Sequence, residues 1–169
     1  MDWNETMGKN QTCIYAKKCG GCDYQGVKYE KQLAMKQKTV EMLLSDNCRV
    51  DNIIGAQNPY HYRNKVHGVF GRDKKGTVFT GIYQQGTHNI IPVENCLIEN
   101  ETASQILRTL SKLVQSFQLK VYDEDRRTGL FRHALIRVGH ATGQILVVLV
   151  LSDPVFPSKN NFISALLQT

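Results

Sequence analysis

Three thiols fall within ten residues in the stretch "CIYAKKCGGC", with the spacing Cys13-x5-Cys19-x2-Cys22. A tight C-x2-C lets two thiolates converge on one metal centre, and a third a few residues upstream can wrap around it. Gly20 and Gly21 permit a turn with φ above zero and a close approach of the backbone. Their N–H groups can also be aimed at sulfur, which stabilises a thiolate cluster and tunes its potential. Such a set needs a fourth ligand, and two cysteines remain. Cys48 follows a predicted helix end, where the dipole disfavours a thiolate. Cys96, in "VENCLIEN", sits in a predicted loop that can fold back onto residues 13–22, and is the expected fourth ligand. Spacing alone leaves the occupant open between an iron–sulfur cluster, zinc and plain reduced thiols. The absence of a C-x3-C-x2-C run argues against radical-type chemistry.

A second group of chemistry-bearing residues lies in "PYHYRNKVHG". Alternate residues of a strand share a face, which would align Arg63, Lys65 and His67. Tyr60, His61 and Tyr62 can stack on unpaired bases. The competing reading is that the basic residues are the solvated face of an antiparallel strand. Arg72, Lys74 and Lys75 fall in a turn, where solvation explains them. In "LFRHALIR", Arg132 is a further contact candidate, and Arg137, five residues on, is expected on the opposite face. His133 is either a satisfied core histidine or part of the cluster or nucleic-acid surface.

The elements that must position these groups follow from periodicity. A helix is predicted over 27–44, with Tyr29, Leu33, Val40, Leu43 and Leu44 near helical spacing. A strand from about Tyr62 to 71, the turn "RDKKG" and the strand "TVFTGIY" make a hairpin, followed by a short strand "THNIIPV" ended by Pro92. Residues 99–117 carry a helical apolar stripe of Ile106, Leu110, Leu113, Val114 and Phe117. A second hairpin turns at "HATG"; its return strand is almost wholly apolar and reads as central, buried on both faces. "FPSKNNFISALL" reads as a third helix with Ser158 as N-cap. The order implies an α+β fold, a mostly antiparallel sheet with flanking helices and an N-terminal cysteine-rich loop.

The bulk numbers bound the partners. The 169 residues carry 21 Lys and Arg against 15 Asp and Glu, a net charge of +6 with a pI near 9.1, which favours a polyanionic partner. No apolar run approaches the length of about 18 that a membrane span needs, and "MDWNETMGKNQT" has no signal-peptide core, so a cytoplasmic location is expected. Five cysteines are an odd number, and disulfides are rare in that compartment, so metal ligation is the better reading of the clustered three.

"CIYAKKCGGCDYQGVKYEKQLAMKQKTV" resembles the iron–sulfur segment of the bacterial RNA uracil-5-methyltransferases of the RumA/RlmD type, where C-x5-C-G-G-C-x-Y-Q precedes a "Y…QL..K" helix. "PYHYRNKVHGVFG", "VENCLIEN" and "LFRHALIRVGHATGQILVVLV" match the segments that follow, in the same order, over roughly residues 13–167. The resemblance implies a [4Fe-4S] cluster on Cys13, Cys19, Cys22 and Cys96, and RNA against the central domain through Arg63, Lys65, His67, Tyr62 and Arg132. It implies 23S ribosomal RNA as partner, with transfer RNA the other candidate. It also implies S-adenosylmethionine as methyl donor in the full-length parent. It divides the chain into the cysteine segment 1–25, a helix 26–47 that packs on the methyltransferase domain, and a central RNA-binding domain 48–169.

No glycine-rich cofactor turn follows a strand here, and Cys48 stands where the family has no nucleophile. The expectation is therefore a fragment that stops before its catalytic domain, inactive alone, whose uncovered helix favours self-association. The alternative is a non-catalytic RNA-binding module stapled by zinc; a third reading is a redox-sensing iron–sulfur protein with no RNA role.

Overall fold

The computed structural model describes residues 13–168; the polar segment 1–12, with Lys9, and Thr169 lie outside the described residues. A short helix α1 (Ala16–Cys19) and a long one, α2 (Tyr29–Leu44), precede three strands, β1 (Lys65–Arg72), β2 (Val78–Tyr83) and β3 (Ile90–Pro92). Helix α3 (Glu101–Ser116), strands β4 (Phe131–Val138) and β5 (Ile145–Leu151), and helix α4 (Lys159–Leu167) complete the order. The five strands form one antiparallel sheet in the order β3-β2-β1-β4-β5, as the α+β reading expects. Among the described residues, no helix is long and apolar enough to cross a membrane.

Helices α3 and α4 cover one face of the sheet. Val66 and Phe70 of β1 and Ala134 and Ile136 of β4 meet Leu107, Leu110 and Val114 of α3 and Phe162 of α4 in a single core. The spacing of α3's apolar residues is what turns them to one side. Its start is fixed by Asn100, whose side chain accepts the Ala103 N–H at 3.2 Å. Gly68 is required beneath this helix, because a Cβ there would stand 2.6 Å from a Leu107 methyl.

Three expectations need correction. Strand β5 is an edge strand, not a central one; Leu146, Val148 and Val150 are exposed on its uncovered face. An unbroken apolar run carries no period, so it cannot tell one buried face from two. Ser158 stands at the N-cap position of α4, but its φ of 56° is left-handed and its side chain makes no capping bond. The strand expected from Tyr62 begins at Lys65 instead; residues 61–63 form a parallel connection with the chain around Ile98, through His61 N–H to Leu97 O and Arg63 N–H to Ile98 O.

Helix α2 buries none of its residues completely. It is laid along the segment after it: the Gln37 side chain holds Ile53 N–H and Asp51 O, and the Tyr29 hydroxyl accepts the Ala56 N–H. Met42 and Leu43 remain exposed.

The entry to β4 depends on Gly129, at φ 114°, where a Cβ would meet the Val121 carbonyl oxygen at 2.2 Å. Both the backbone strain and the overlap are with parts that cannot swing aside. Gly129→Ala is expected to lower stability by about 2–4 kcal/mol, read as a reduced urea midpoint with unchanged slope; a loss below about 0.5 kcal/mol would contradict it.

Candidate metal centre and basic face

The cysteines that the sequence separates by more than seventy positions share one cavity. Cys13, Cys19 and Cys22 line it with Cys96, between walls that include Ile82, Val93 and Leu97 and with Arg63 and Glu99 at its polar side. All five cysteines are free thiols; Cys48 is exposed just beyond α2 and is not among the lining residues. Among the described residues, no three His, Cys, Asp or Glu side chains meet as they stand in an arrangement that could hold a metal ion. What the fold supplies is the donor set: four reduced thiols around one partly apolar space. That chemistry fits either a thiolate-bound iron–sulfur cluster or a four-cysteine zinc.

Local backbone explains how the loop reaches this arrangement. Residues 13–19 close a turn of helix, with Cys19 N–H bonded to Tyr15 O at 2.9 Å. Gly20 then ends it in the left-handed region at φ 64°. Gly21 does not share that conformation. Its role is space, since a Cβ would lie 3.1 Å from the Cys19 sulfur. The Tyr15 hydroxyl accepts the Glu94 N–H at 3.1 Å and ties the loop to the chain just before Cys96.

The electrostatics show the thiols sensing one another. Burial pushes the Cys22 thiol above its ordinary range, the neighbouring Cys19 adds to this, and Arg63 pulls it back. Cys96 is also raised, first by burial, against N–H groups of Ile98 and Glu99 that favour its thiolate; Cys22 contributes a further rise. The amide donors to sulfur resolved here belong to the Cys96 side, not to the two glycines. Glu99 is buried, its carboxyl raised by burial and held down by the Ser104 hydroxyl at 3.1 Å and by Arg63. Burial beside a single guanidinium thus favours the neutral form of these thiols as they stand.

The basic residues divide differently from the sequence count. Arg63 lies before β1 and faces the cysteine cavity. Lys65 and His67 share the uncovered face of β1 and are exposed. Tyr62 is 63% exposed and lines a cleft with Arg63, Tyr24 and Lys36, whereas the His61 ring bonds the Glu99 carbonyl at 2.9 Å. Arg132 is engaged internally, 2.7 Å from Glu124 and stacked on the Tyr122 ring. A register shift between Phe131 and His133 interrupts strand alternation. From His133 onward β4 alternates regularly, so Arg137, paired with Lys65, lies on the uncovered face with His133.

No family model matches the chain. It is 39% identical over 158 residues to an uncharacterized RNA methyltransferase of Clostridium tetani, covering 91% of this chain and 34% of that protein. Uncharacterized RNA methyltransferases of Staphylococcus aureus (31% over 160 residues, 92% of this chain and 35% of theirs) and Enterococcus faecalis (34% over 161, 91% and 35%) are similar as well. The relatives are RNA methyltransferases. The chain spans about a third of their length. Among solved structures, that of Pyrococcus abyssi tRNA (uracil-54, C5)-methyltransferase in complex with S-adenosyl-L-homocysteine superimposes with a TM-score of 0.69 at 21% identity, over 86% of this chain and 34% of that one. That likeness establishes a shared fold.

Proposed function

We propose that this chain is the cluster-bearing, RNA-binding portion of a SAM-dependent 23S rRNA (uracil-5-)-methyltransferase of the cytoplasm, and that it transfers no methyl group alone. The observation that carries the reading is the gathering of Cys13, Cys19, Cys22 and Cys96 around one cavity, in a fold whose uncovered sheet face bears Lys65 and His67. The resemblance to RNA methyltransferases supports it. These four thiolates would hold a [4Fe-4S] cluster, which supplies a covalent staple between the N-terminal loop and the chain before α3, with every iron ligated by protein. Arg63 offsets the buried negative charge there. Lys65, His67 and Tyr62 contact RNA, and Arg132 supports that surface through its pairing with Glu124. S-adenosylmethionine, nucleophile and base belong to the parent's remaining length. Helix α2, within residues 26–47, packs on that part in the parent and favours self-association without it.

The test combines two readouts on the metal-loaded chain. It is expected to bind RNA with a steep salt dependence and to transfer no label from methyl-labelled S-adenosylmethionine; methyl transfer by the chain, or no RNA binding at low salt, would overturn the reading. A zinc-stapled module is the outcome if RNA binding persists in a colourless protein holding one zinc.

The two arginine and lysine roles separate by substitution. Arg63→Ala is expected to shorten the lifetime of the bound cluster in air several-fold, followed by its visible absorbance. Lys65→Ala is expected to leave that lifetime unchanged and to reduce the salt slope of single-stranded RNA binding by roughly 0.7. The opposite assignment of effects would refute the division.

A further inference from the structure

The uncovered face of the sheet carries a feature that the cysteine site does not use. Lys65 and Arg137 stand directly opposite each other on β1 and β4, both exposed. Like charges in that register destabilise a strand pair, and among the described residues neither forms an ion pair with a carboxylate. They line a shallow depression with the polar Asn64, Thr142 and Gln144 of the flanking segments. Two residues along β1 from Lys65 and four along β4 from Arg137, His67 and His133 hold their rings 4.9 Å apart, with Tyr83 meeting His133 edge-on at 6.3 Å. Nδ1 of His133 is buried without a hydrogen-bond partner, a cost of about 1–3 kcal/mol that stability alone does not explain. Beyond them, Leu146, Val148 and Val150 of the edge strand are exposed.

We infer that this face seats a single-stranded RNA segment, with a phosphodiester between Lys65 and Arg137 and the adjoining unpaired base on the His67–His133 platform. The inference rests on the RNA-binding reading and deepens it: it names the nucleic-acid form and adds Arg137, His133 and Tyr83 to the contact surface. The strand geometry suits it. His67, the near edge of the platform, lies two residues from Lys65, an advance of roughly 7 Å along the strand that one sugar bridges between its phosphate and its base. Unpaired cations attract the backbone without reading sequence, and imidazole and phenol rings accept any base face. A duplex would keep its bases stacked inside and leave the platform unused. Arg132, already held by Glu124, takes no part in the phosphate seat.

The test is fluorescence anisotropy of the metal-loaded chain with a uridine-rich single-stranded oligonucleotide and with a duplex of equal length, titrated against salt. Arg137→Ala is expected to reduce the single-strand salt slope by roughly 0.7, as Lys65→Ala does. Lys112→Ala, on the exposed side of α3, is expected to leave it unchanged. His67→Ala is expected to weaken single-strand binding by roughly 5- to 100-fold and to abolish the preference over duplex. Arg137, Lys65 and His67 are exposed, so unchanged melting temperatures establish that the variants fold. If the chain binds RNA but Arg137→Ala keeps the full slope, or if duplex binds as tightly as single strand and His67→Ala changes nothing, the inference fails and the RNA-binding reading stands. If the unaltered chain binds neither RNA, both fail.

Discussion

After anaerobic reconstitution with iron and sulfide, Cys96→Ser is expected to lose the broad visible absorbance and most of the bound iron, while Cys48→Ser keeps both. Cys96 is the distinguishing member of the proposed ligand set because it is the one that no local spacing supplies. It reaches the loop thiols only because β3 ends at Pro92 and the chain runs on to the Asn100 cap of α3 past the cysteine loop. Cys96 lines the cavity and senses Cys22 electrostatically; Cys48 lies outside it. The stability effect should be as large as the spectroscopic one. A ligand present at a thousand times its dissociation constant and bound only to the folded state contributes about 4 kcal/mol. For a chain of this size that corresponds to roughly 8–16 °C in melting temperature. The apo and Cys96→Ser proteins should therefore melt together, well below the loaded protein. A Cys96→Ser variant that retains colour and melting temperature, with Cys48→Ser losing them, would move the fourth ligand to Cys48.

The second large effect lies in the core under the basic face. Phe131 is fully buried and touches three other rings: Phe70 at 5.4 Å, Phe156 at 5.3 Å and Phe162 at 5.6 Å between centroids. It links β1, β4 and α4 in one cluster and stands just before the register shift that sets His133. Phe131→Ala removes the hub of that cluster, and the neighbouring rings, locked between sheet and helices, cannot all collapse into the space. A loss of about 3–5 kcal/mol is expected, roughly 6–20 °C in melting temperature, read by urea unfolding with an unchanged slope. A loss under about 1 kcal/mol would mean that α4 does not pack as described. Phe131→Leu, which keeps much of the volume, should recover a substantial part of the loss.

Much of the architecture was readable because its signals are local. The apolar stripe of α3 needs only a count of three and four, and "RDKKG" marks its own hairpin, with Gly76 at φ 84° as the turn requires. The choice of Cys96 over Cys48 rested on a helix end and a loop, both of which are local features. The readings that failed depended on contacts between distant segments. The apolar run 145–151 reads as central, because a run without alternation cannot reveal that one face goes uncovered. Arg63 precedes β1 rather than opening its exposed face, with its N–H on the Ile98 carbonyl, and it lines the cysteine cavity. No composition or spacing near Arg132 marks the bulge between Phe131 and His133.

The central claim is that four thiols hold one iron–sulfur core. Iron, acid-labile sulfide and zinc measured per chain on protein purified and reconstituted without oxygen test it most directly. The account predicts about four irons and four sulfides per chain, with negligible zinc, and their loss in each of the single Cys→Ser variants at 13, 19, 22 and 96. One tightly held zinc per chain and no labile sulfide, in a colourless protein that iron and sulfide do not alter, would contradict it.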